Sequence, residues 1–175
     1  MIDKQTFRDA LARLAAAVNI ITSDGPGGLC GCTASAVCSV SDEPPILLVC
    51  INRNSRNNAI LKQNQRLCVN VLHAEQQALA MAFAQSGVAT ETRFNDGNWS
   101  ASGTVTLENS LTSSPVLPAL TDALVSLDCR ITGTAEVGSH TVFYCTVDAT
   151  RFGTPGAALV YFERGFHALN VSTAA

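Results

Sequence analysis

Apolar residues recur at helical spacing near the start of the chain, at intervals of four, three and four residues. This spacing places them on one face of a helix. Thr6, with Asp9 three residues later, resembles a capping box. The pattern therefore predicts an amphipathic helix over residues 6–18. Its apolar face consists of Phe7, Leu11, Leu14 and Val18.

Most other apolar residues fall into short runs or alternations that are typical of β-strands. Residues 125–131 alternate between apolar and polar, which predicts a half-buried strand. The apolar run 46–51 is unbroken and predicts a buried one. Turn-forming residues, such as Asp42 to Pro45 and Gly138 with Ser139, separate these segments. Further strands are predicted at 18–22, 66–72, 141–147 and 157–162.

Two more helices are predicted, at 55–63 and 74–84, the second with Leu79 and Phe83 on its inner face. Residues 85–118 are rich in Ser, Thr, Gly and Asn. We predict a long connection here, with short strands at 105–107 and 116–117, lying partly over a ligand site. Long strands with helices at the edge of the set predict a mainly β protein: one domain, 1–175, forming a closed antiparallel barrel with added helices.

The chain carries little charge for its size. Charged residues make up 14% of its 175 residues, against roughly 25% in an average globular protein. We therefore expect part of its surface to be covered in an oligomer. The net charge of −3 and the lack of a Lys/Arg block argue against nucleic acid and anionic membranes as partners.

Targeting and metal signals are weak. No apolar run approaches the roughly 20 residues of a membrane span, and the N-terminus is unlike a secretion signal, so a cytoplasmic protein is expected. Cys30 and Cys32 are the closest pair among seven cysteines, and no second pair or nearby histidine completes a zinc site. We expect no metal, and reduced thiols that pack as small apolar groups.

The stretch from Gly31 to Ser55 is the best candidate for a ligand site. Thr33, Ala34, Ser35 and Ala36 are four consecutive small residues. Such a run lets a flat ligand lie close to the backbone and meet its N–H and C=O groups. The alternative is a plain close crossing of two strands.

A second feature of the stretch suits an anion. Ser55 is a good N-cap for the helix predicted after it. N–H groups at a helix start, with Arg53 and Arg56 beside them, would suit a phosphate. An N-cap serine also occurs without any phosphate. Together the two features point to a nucleotide-like cofactor with a planar head.

These motifs resemble the short-chain flavin reductases, the small components that supply reduced flavin to two-component flavin monooxygenases. The resemblance is closest to the reductases of 4-hydroxyphenylacetate 3-monooxygenase and of pyrimidine utilisation. It begins with 33–40, Pro44 and Pro45, and continues over nearly the whole chain. Its further segments are 67–72, 93–94, 123–129, 138–140, 159–162 and 166–167.

The resemblance implies the split β-barrel of FMN-binding proteins, built as a homodimer with the flavin near the subunit interface. It also implies hydride transfer from NADH to FMN or FAD, and diffusion of reduced flavin to a flavin-dependent oxygenase. In such a reaction the two rings do the bond making, so few side chains are needed. The NADH preference over NADPH is implied by the family alone, and neither FMN over FAD nor the oxygenase's substrate is specified.

The site residues carried over by the resemblance fall into two sets. The flavin set is Thr33, Ala34, Ser35, Ala36, Ser39, Asn52, Asn54, Ser55, Arg93 and Phe94, with Arg53 or Arg56 as counter-charges. The NADH set is His140, Tyr161, Phe162 and His167, with His140 as a candidate catalytic residue. Each has an ordinary structural alternative: Ser39 a strand residue, Arg93 a surface charge, His140 a turn residue.

Two other functions are compatible with this sequence. A non-catalytic flavin-binding module of the same fold would keep the 31–55 stretch without needing His140. An oxidase would retain its FMN and react with substrate directly.

Overall fold

The structure is a computed structural model that describes residues 1–102 and 117–171. The predicted strand at 105–107 and residue 116 lie outside the described residues. The helices described are α1 (Lys4–Leu11), α2 (Arg56–Asn64), α3 (Gln77–Ala84) and α4 (Thr90–Phe94), with a 3₁₀ turn at Ala74–Gln76. The strands described are β1 (Ala16–Ala17), β2 (Asn19–Ser23), β3 (Cys30–Ala34), β4 (Val37–Asp42), β5 (Pro45–Asn52), β6 (Arg66–Val71), β7 (Trp99–Ser102), β8 (Leu117–Leu120), β9 (Val125–Val137), β10 (His140–Phe152), β11 (Ala158–Phe162) and β12 (Gly165–Leu169).

The first helix is shorter than predicted, and its start was misassigned. Asp3, rather than Thr6, is the N-cap, and its carboxylate accepts bonds from the N–H groups of Gln5 and Thr6. The helix ends at Leu11. Val18 is buried among the strands, and its N–H donates to Leu159 O at 2.9 Å. Strand pairing therefore overrides the helical spacing at this position.

Seven antiparallel strands form the main sheet, in the order β3-β2-β6-β9-β10-β5-β4. The described strands of the main sheet do not close by hydrogen bonds into the predicted barrel. Strands β3 and β4 remain the two edges of the sheet. The inner faces of the main-sheet strands share one apolar cluster, in which Cys30 of β3 lies with Val49 of β5 and Phe143 of β10. Ile60 and Leu61 of α2 pack into the same cluster. The mainly β prediction is confirmed.

Burial along the strands differs from two sequence predictions. Along β5 it alternates, so 46–51 is half-buried rather than wholly buried. At the start of β9 both faces are covered, and the polar Ser126 and Asp128 are buried. The carboxylate of Asp128 pairs with Arg66 at 2.8 Å. An apolar–polar alternation therefore does not mark an exposed face where a second layer covers the polar side.

Two smaller sheets flank the main one. Strands β1, β11 and β12 form one, and β7 pairs with β8 in the other. Between them and α3 lies a second apolar cluster centred on the buried ring of Phe83. The sequence analysis missed α4 and β12, which are only five residues each. No helix in the described part of the chain is long and apolar enough to cross a membrane.

The side chain of Asn70 joins neighbouring strands of the main sheet to β8 of the two-stranded sheet. It is wholly buried, and its amide donates to Ile20 O at 3.0 Å. Its carbonyl oxygen accepts from the backbone N–H of Leu120 at 2.8 Å and from Ser126 Oγ at 2.9 Å. The amide of this one side chain therefore holds β8 against the main sheet.

We predict that Asn70→Leu lowers the free energy of unfolding by about 2–4 kcal/mol, because two buried backbone groups lose their partner. Urea denaturation followed by circular dichroism measures this loss. Asn95→Leu, at an exposed position, is the control and should change stability by less than about 0.5 kcal/mol. Equal effects of the two substitutions would contradict the role given to Asn70.

Candidate functional site

A polar cleft of about 680 Å³ opens between β3, the start of α2 and the segment that joins α3 to α4. Cys32 and Thr33 form one wall, and Asn54 and Ser55 begin the opposite one. The third wall runs from Phe83 to Thr90. Its described lining includes Arg56 and Arg93 but no carboxylate.

The run of small residues lies where β3 ends at the edge of the main sheet. An edge strand leaves alternate N–H and C=O groups unpaired on its outer side. Thr33 lines the cleft, but its hydroxyl donates to Ala80 O at 2.6 Å, which anchors α3. Ser35 lines a neighbouring cavity, whereas Ala34 and Ala36 are not among the lining residues described for either.

The start of α2 is built as the sequence predicted. Ser55 is the N-cap, and its hydroxyl accepts a bond from the Asn57 N–H at 3.3 Å. Asn52 shapes the preceding loop, because its side-chain oxygen accepts from the Asn54 N–H at 2.9 Å. The first turn of an α-helix carries N–H groups without intrahelical partners. The N–H groups of Asn57 and Asn58 are already bonded to Ser55, so this end of the cleft favours an anion mainly through the positive end of the helix dipole.

Two guanidinium groups face the same cleft. Arg93 donates to Gly31 O at 3.0 Å and to Gln85 O at 2.5 Å, which fixes its orientation. Its Nε is buried and has no hydrogen-bond partner in the described part of the chain. Among the described residues, neither Arg56 nor Arg93 forms an ion pair. The cleft is therefore electropositive and lacks an internal counter-charge.

Arg53 is not available as the counter-charge that the resemblance suggested. Its Nε lies 2.6 Å from a carboxylate oxygen of Glu136. Its backbone N–H donates to Ser139 O at 2.9 Å, so it faces the β9–β10 hairpin. Of the two arginines proposed from the sequence, the structure places only Arg56 in the cleft.

An apolar cavity of about 450 Å³ continues from the cleft, and Thr33, Ala84 and Gln85 line both. Its far wall is the pair Tyr161 and Phe166, whose ring centroids are 5.4 Å apart in an edge-on arrangement. Cleft and cavity together form a groove with a cationic end and an aromatic end.

The structure does not bring all predicted flavin residues to this groove. Ser39 is exposed on β4, where it pairs with Leu47 at the opposite edge of the sheet. Phe94 packs in the second apolar cluster, 5.0 Å from the Phe83 ring and 4.9 Å from the Trp99 ring. Within one chain, neither lines the described cleft.

The predicted NADH residues are also divided. His140 pairs with Asn52 at the hairpin, and its Nδ1 lies 2.9 Å from Ser139 Oγ. Tyr161 lies at the aromatic end of the groove. Phe162 and His167 point to the other face of the small sheet, where His167 Nε2 lies 3.0 Å from Phe162 O.

Several cleft residues were missed by the sequence analysis. Asn57 lines the cleft and donates to Gly31 O at 3.3 Å. The segment 85–88 forms its third wall, and the Ser86-Gly87 turn signal could have marked it. Gly31 is required by packing, since a Cβ there would lie 2.6 Å from the Phe83 ring.

The cysteines show no sign of metal binding among the described residues, where no suitable group of three or more ligands occurs. All seven are free thiols. Burial raises the pKa of Cys32, at the floor of the cleft, to about 11, although nearby Arg93 acts in the opposite direction. This thiol is therefore protonated at neutral pH.

Comparisons with known proteins agree on one family. The model of the flavin reductase-like domain matches residues 11–170. A curated relative, FMN reductase (NADH) RutF of Escherichia coli O157:H7, is 45% identical over 170 residues, covering 97% of this chain and 96% of the relative.

Solved structures agree with the sequence matches. A crystal structure from Haemophilus somnus 129PT, assigned as a flavin reductase, has a TM-score of 0.84 and 41% identity, and covers 96% of this chain and 100% of that one. BorF, the flavin reductase component of a bacterial two-component tryptophan halogenase, also has a TM-score of 0.84, at 24% identity, over 97% of this chain and 100% of its own. The BorF likeness shows the fold alone.

We predict that alkylation of Cys32 by iodoacetamide keeps rising about tenfold per pH unit from about pH 8 to about pH 10, because its raised pKa keeps the thiolate scarce. Peptide mass spectrometry after short exposures measures the rate at this position. A rate that levels off near the ordinary thiol pKa of 9.0 would contradict the raised value.

Proposed function

Since the chain belongs to the flavin reductase-like domain family, we propose that it is an NADH-dependent flavin reductase with FMN as acceptor, which releases the reduced flavin after each turnover. The observation that carries this function is the groove itself. A cationic cleft and an aromatic cavity meet at Thr33 of β3, where the run of small residues 33–36 (the shelf) begins. This order matches the phosphate of a flavin mononucleotide, its ring, and a second ring beside it.

The cleft residues fit the phosphate. Arg56 and Arg93 bring two positive charges without an ion-pair partner among the described residues. The N-terminus of α2, capped by Ser55, adds the positive end of a helix dipole. Charge-assisted bonds from guanidinium groups hold phosphates strongly.

The shelf would position the ring. With Ser35 and the alanines beside it, no large side chain separates a planar ligand from the edge of β3. The hydroxyl of Thr33, the first residue of the shelf, donates to Ala80 O and so ties the shelf to α3. Tyr161 and Phe166 would then hold the nicotinamide ring against the flavin.

Both rings supply the redox chemistry when they are bound, a hydride passing from the reduced nicotinamide to the flavin. The protein's contribution is to hold the rings in contact and to exclude water from the apolar end of the groove. We propose that His140, exposed at the hairpin, contacts the pyridine nucleotide rather than the reacting atoms. The reduced flavin would pass by diffusion to a flavin-dependent oxygenase.

We further propose a homodimer in which the main sheet curls into a split barrel. One cluster already takes residues from β3, β5 and the partly buried Val37 of β4, which requires strong curvature. The opposite face of β4, β5 and β10 carries apolar side chains toward solvent, and the register places Cys38, Leu48 and Tyr144 in one row. A second copy would cover this row.

The direct test of the function is a mixture of the protein, NADH and FMN, followed by loss of NADH absorbance. Arg56→Gln is expected to raise the KM for FMN about three- to tenfold, because one charge-assisted contact to the phosphate is lost. The KM for riboflavin, which has no phosphate, should not change. Arg8→Gln removes the same charge from an exposed position on α1 and is the control.

Other outcomes identify the alternatives. Flavin binding without NADH oxidation would identify a binding module, and a yellow cofactor that survives gel filtration would identify an oxidase. An equal rise in KM for FMN and riboflavin would place the phosphate elsewhere.

For the dimer, we predict that Leu48→Asp yields a monomer at about 10 µM in analytical ultracentrifugation, because a charge on an apolar interface row is costly to desolvate. Leu169→Asp, at an exposed position of β12, should leave the dimer intact. A monomeric wild-type protein would refute the proposal.

A further inference from the structure

The carboxylate of Glu136 pairs with two cations near the β9–β10 hairpin. One oxygen lies 2.5 Å from Lys62 Nζ, and the other lies 2.6 Å from Arg53 Nε. Arg53 belongs to the loop before α2, Lys62 to α2 itself, and Glu136 to the end of β9. One carboxylate therefore pairs with two cations, and the three residues come from three different segments of the chain.

The carboxylate has a third hydrogen-bonding partner in this half-exposed arrangement. The hydroxyl of Thr141, which is wholly buried, lies 3.1 Å from both oxygens of Glu136. The hydrogen bond from Lys62 is the main cause that lowers the pKa of Glu136, with Thr141 and Arg53 also contributing. Glu136 therefore stays ionised at neutral pH and keeps both cations engaged.

These two cations line a side cavity of about 510 Å³ next to the proposed nucleotide site. Asn54 lines both the side cavity and the cleft, so the two are neighbours. The opposite wall is the hairpin turn at Gly138 and Ser139, directly before His140. A nucleotide that contacts His140 would thus reach this cavity.

Charge decides where the adenylate half of a pyridine nucleotide would lie. The aromatic end of the groove has no cation among its described lining residues. The side cavity has Arg53 and Lys62. With Arg56 and Arg93 occupied by the flavin phosphate in the proposed complex, the hairpin side is the cationic surface left for the adenylate, and Glu136 neutralises half of its charge.

We propose that Glu136 is a specificity-determining residue, which favours NADH over NADPH by withholding Arg53 and Lys62 from the 2′-phosphate. The inference rests on the proposed function and adds the basis of its donor preference. NADPH differs from NADH only by this phosphate, which needs cations as partners. Glu136 denies it those partners and adds repulsion, a form of selection against the wrong ligand.

The first test measures binding without turnover. Adenosine 2′,5′-bisphosphate and 5′-AMP are titrated calorimetrically into the wild-type protein and into Glu136→Gln. The amide is nearly isosteric but uncharged, so the bisphosphate should bind the variant about tenfold more tightly, while 5′-AMP changes less than about threefold. No gain for the bisphosphate, or an equal gain for both ligands, overturns the proposal.

The second test is kinetic. The ratio of kcat/KM for NADPH to that for NADH should rise about tenfold in Glu136→Gln, and added salt should reduce the gain. The triple variant with Arg53→Gln and Lys62→Gln should lose the gain, because the released cations are gone. An equal loss with both donors would indicate a merely structural role and would refute the specificity role.

A matched control separates local from general charge effects. Glu163→Gln removes the same charge from an exposed ion pair with Arg13, at the turn between β11 and β12. It should change neither the binding ratio nor the kinetic ratio. A wild-type protein that reduces no flavin would refute the proposed function alone, since the calorimetric test still decides the role of Glu136.

Discussion

The close approach at Gly31 is the constraint on which both the fold and the site depend. The rings of Phe83 and Phe94 press against its backbone, at distances that leave no room for a Cβ. Its carbonyl accepts bonds from the side chains of Asn57 and Arg93, one from each wall of the cleft. A single glycine thus joins the aromatic cluster below β3 to the polar cleft above it.

Electrostatics divides the cations around the site into two groups. Arg56 and Arg93 line the cleft without an ion-pair partner among the described residues, so their charge is available to a ligand. Arg53 and Lys62, close by along the chain, are engaged by Glu136. The sequence presents Arg53 and Arg56 as near equivalents, but three residues of separation place them on opposite sides of the loop.

The proposed flavin reductase activity depends on the positions of the two bound rings rather than on acid–base side chains. Thr33 is bonded to the backbone of α3, and the aromatic end of the groove is formed by the hairpin of β11 and β12. His140 stands apart from that end within one chain, beside Asn52. The groove therefore takes its cationic end from the main sheet and α2, and its aromatic end from the small sheet.

Local chemistry in the sequence determined the N-cap at Ser55, the hairpin turn at Gly138, the mainly β class and the family. These features depend on neighbouring residues or on ordered motifs, which a sequence displays directly. The tertiary structure alone decided where α1 stops, which face of β9 is covered, and that Phe94 packs inward while Arg93 faces the cleft. Those outcomes depend on contacts between residues far apart in the chain, such as Val18 with Leu159 and Arg53 with Glu136, and no local pattern encodes them.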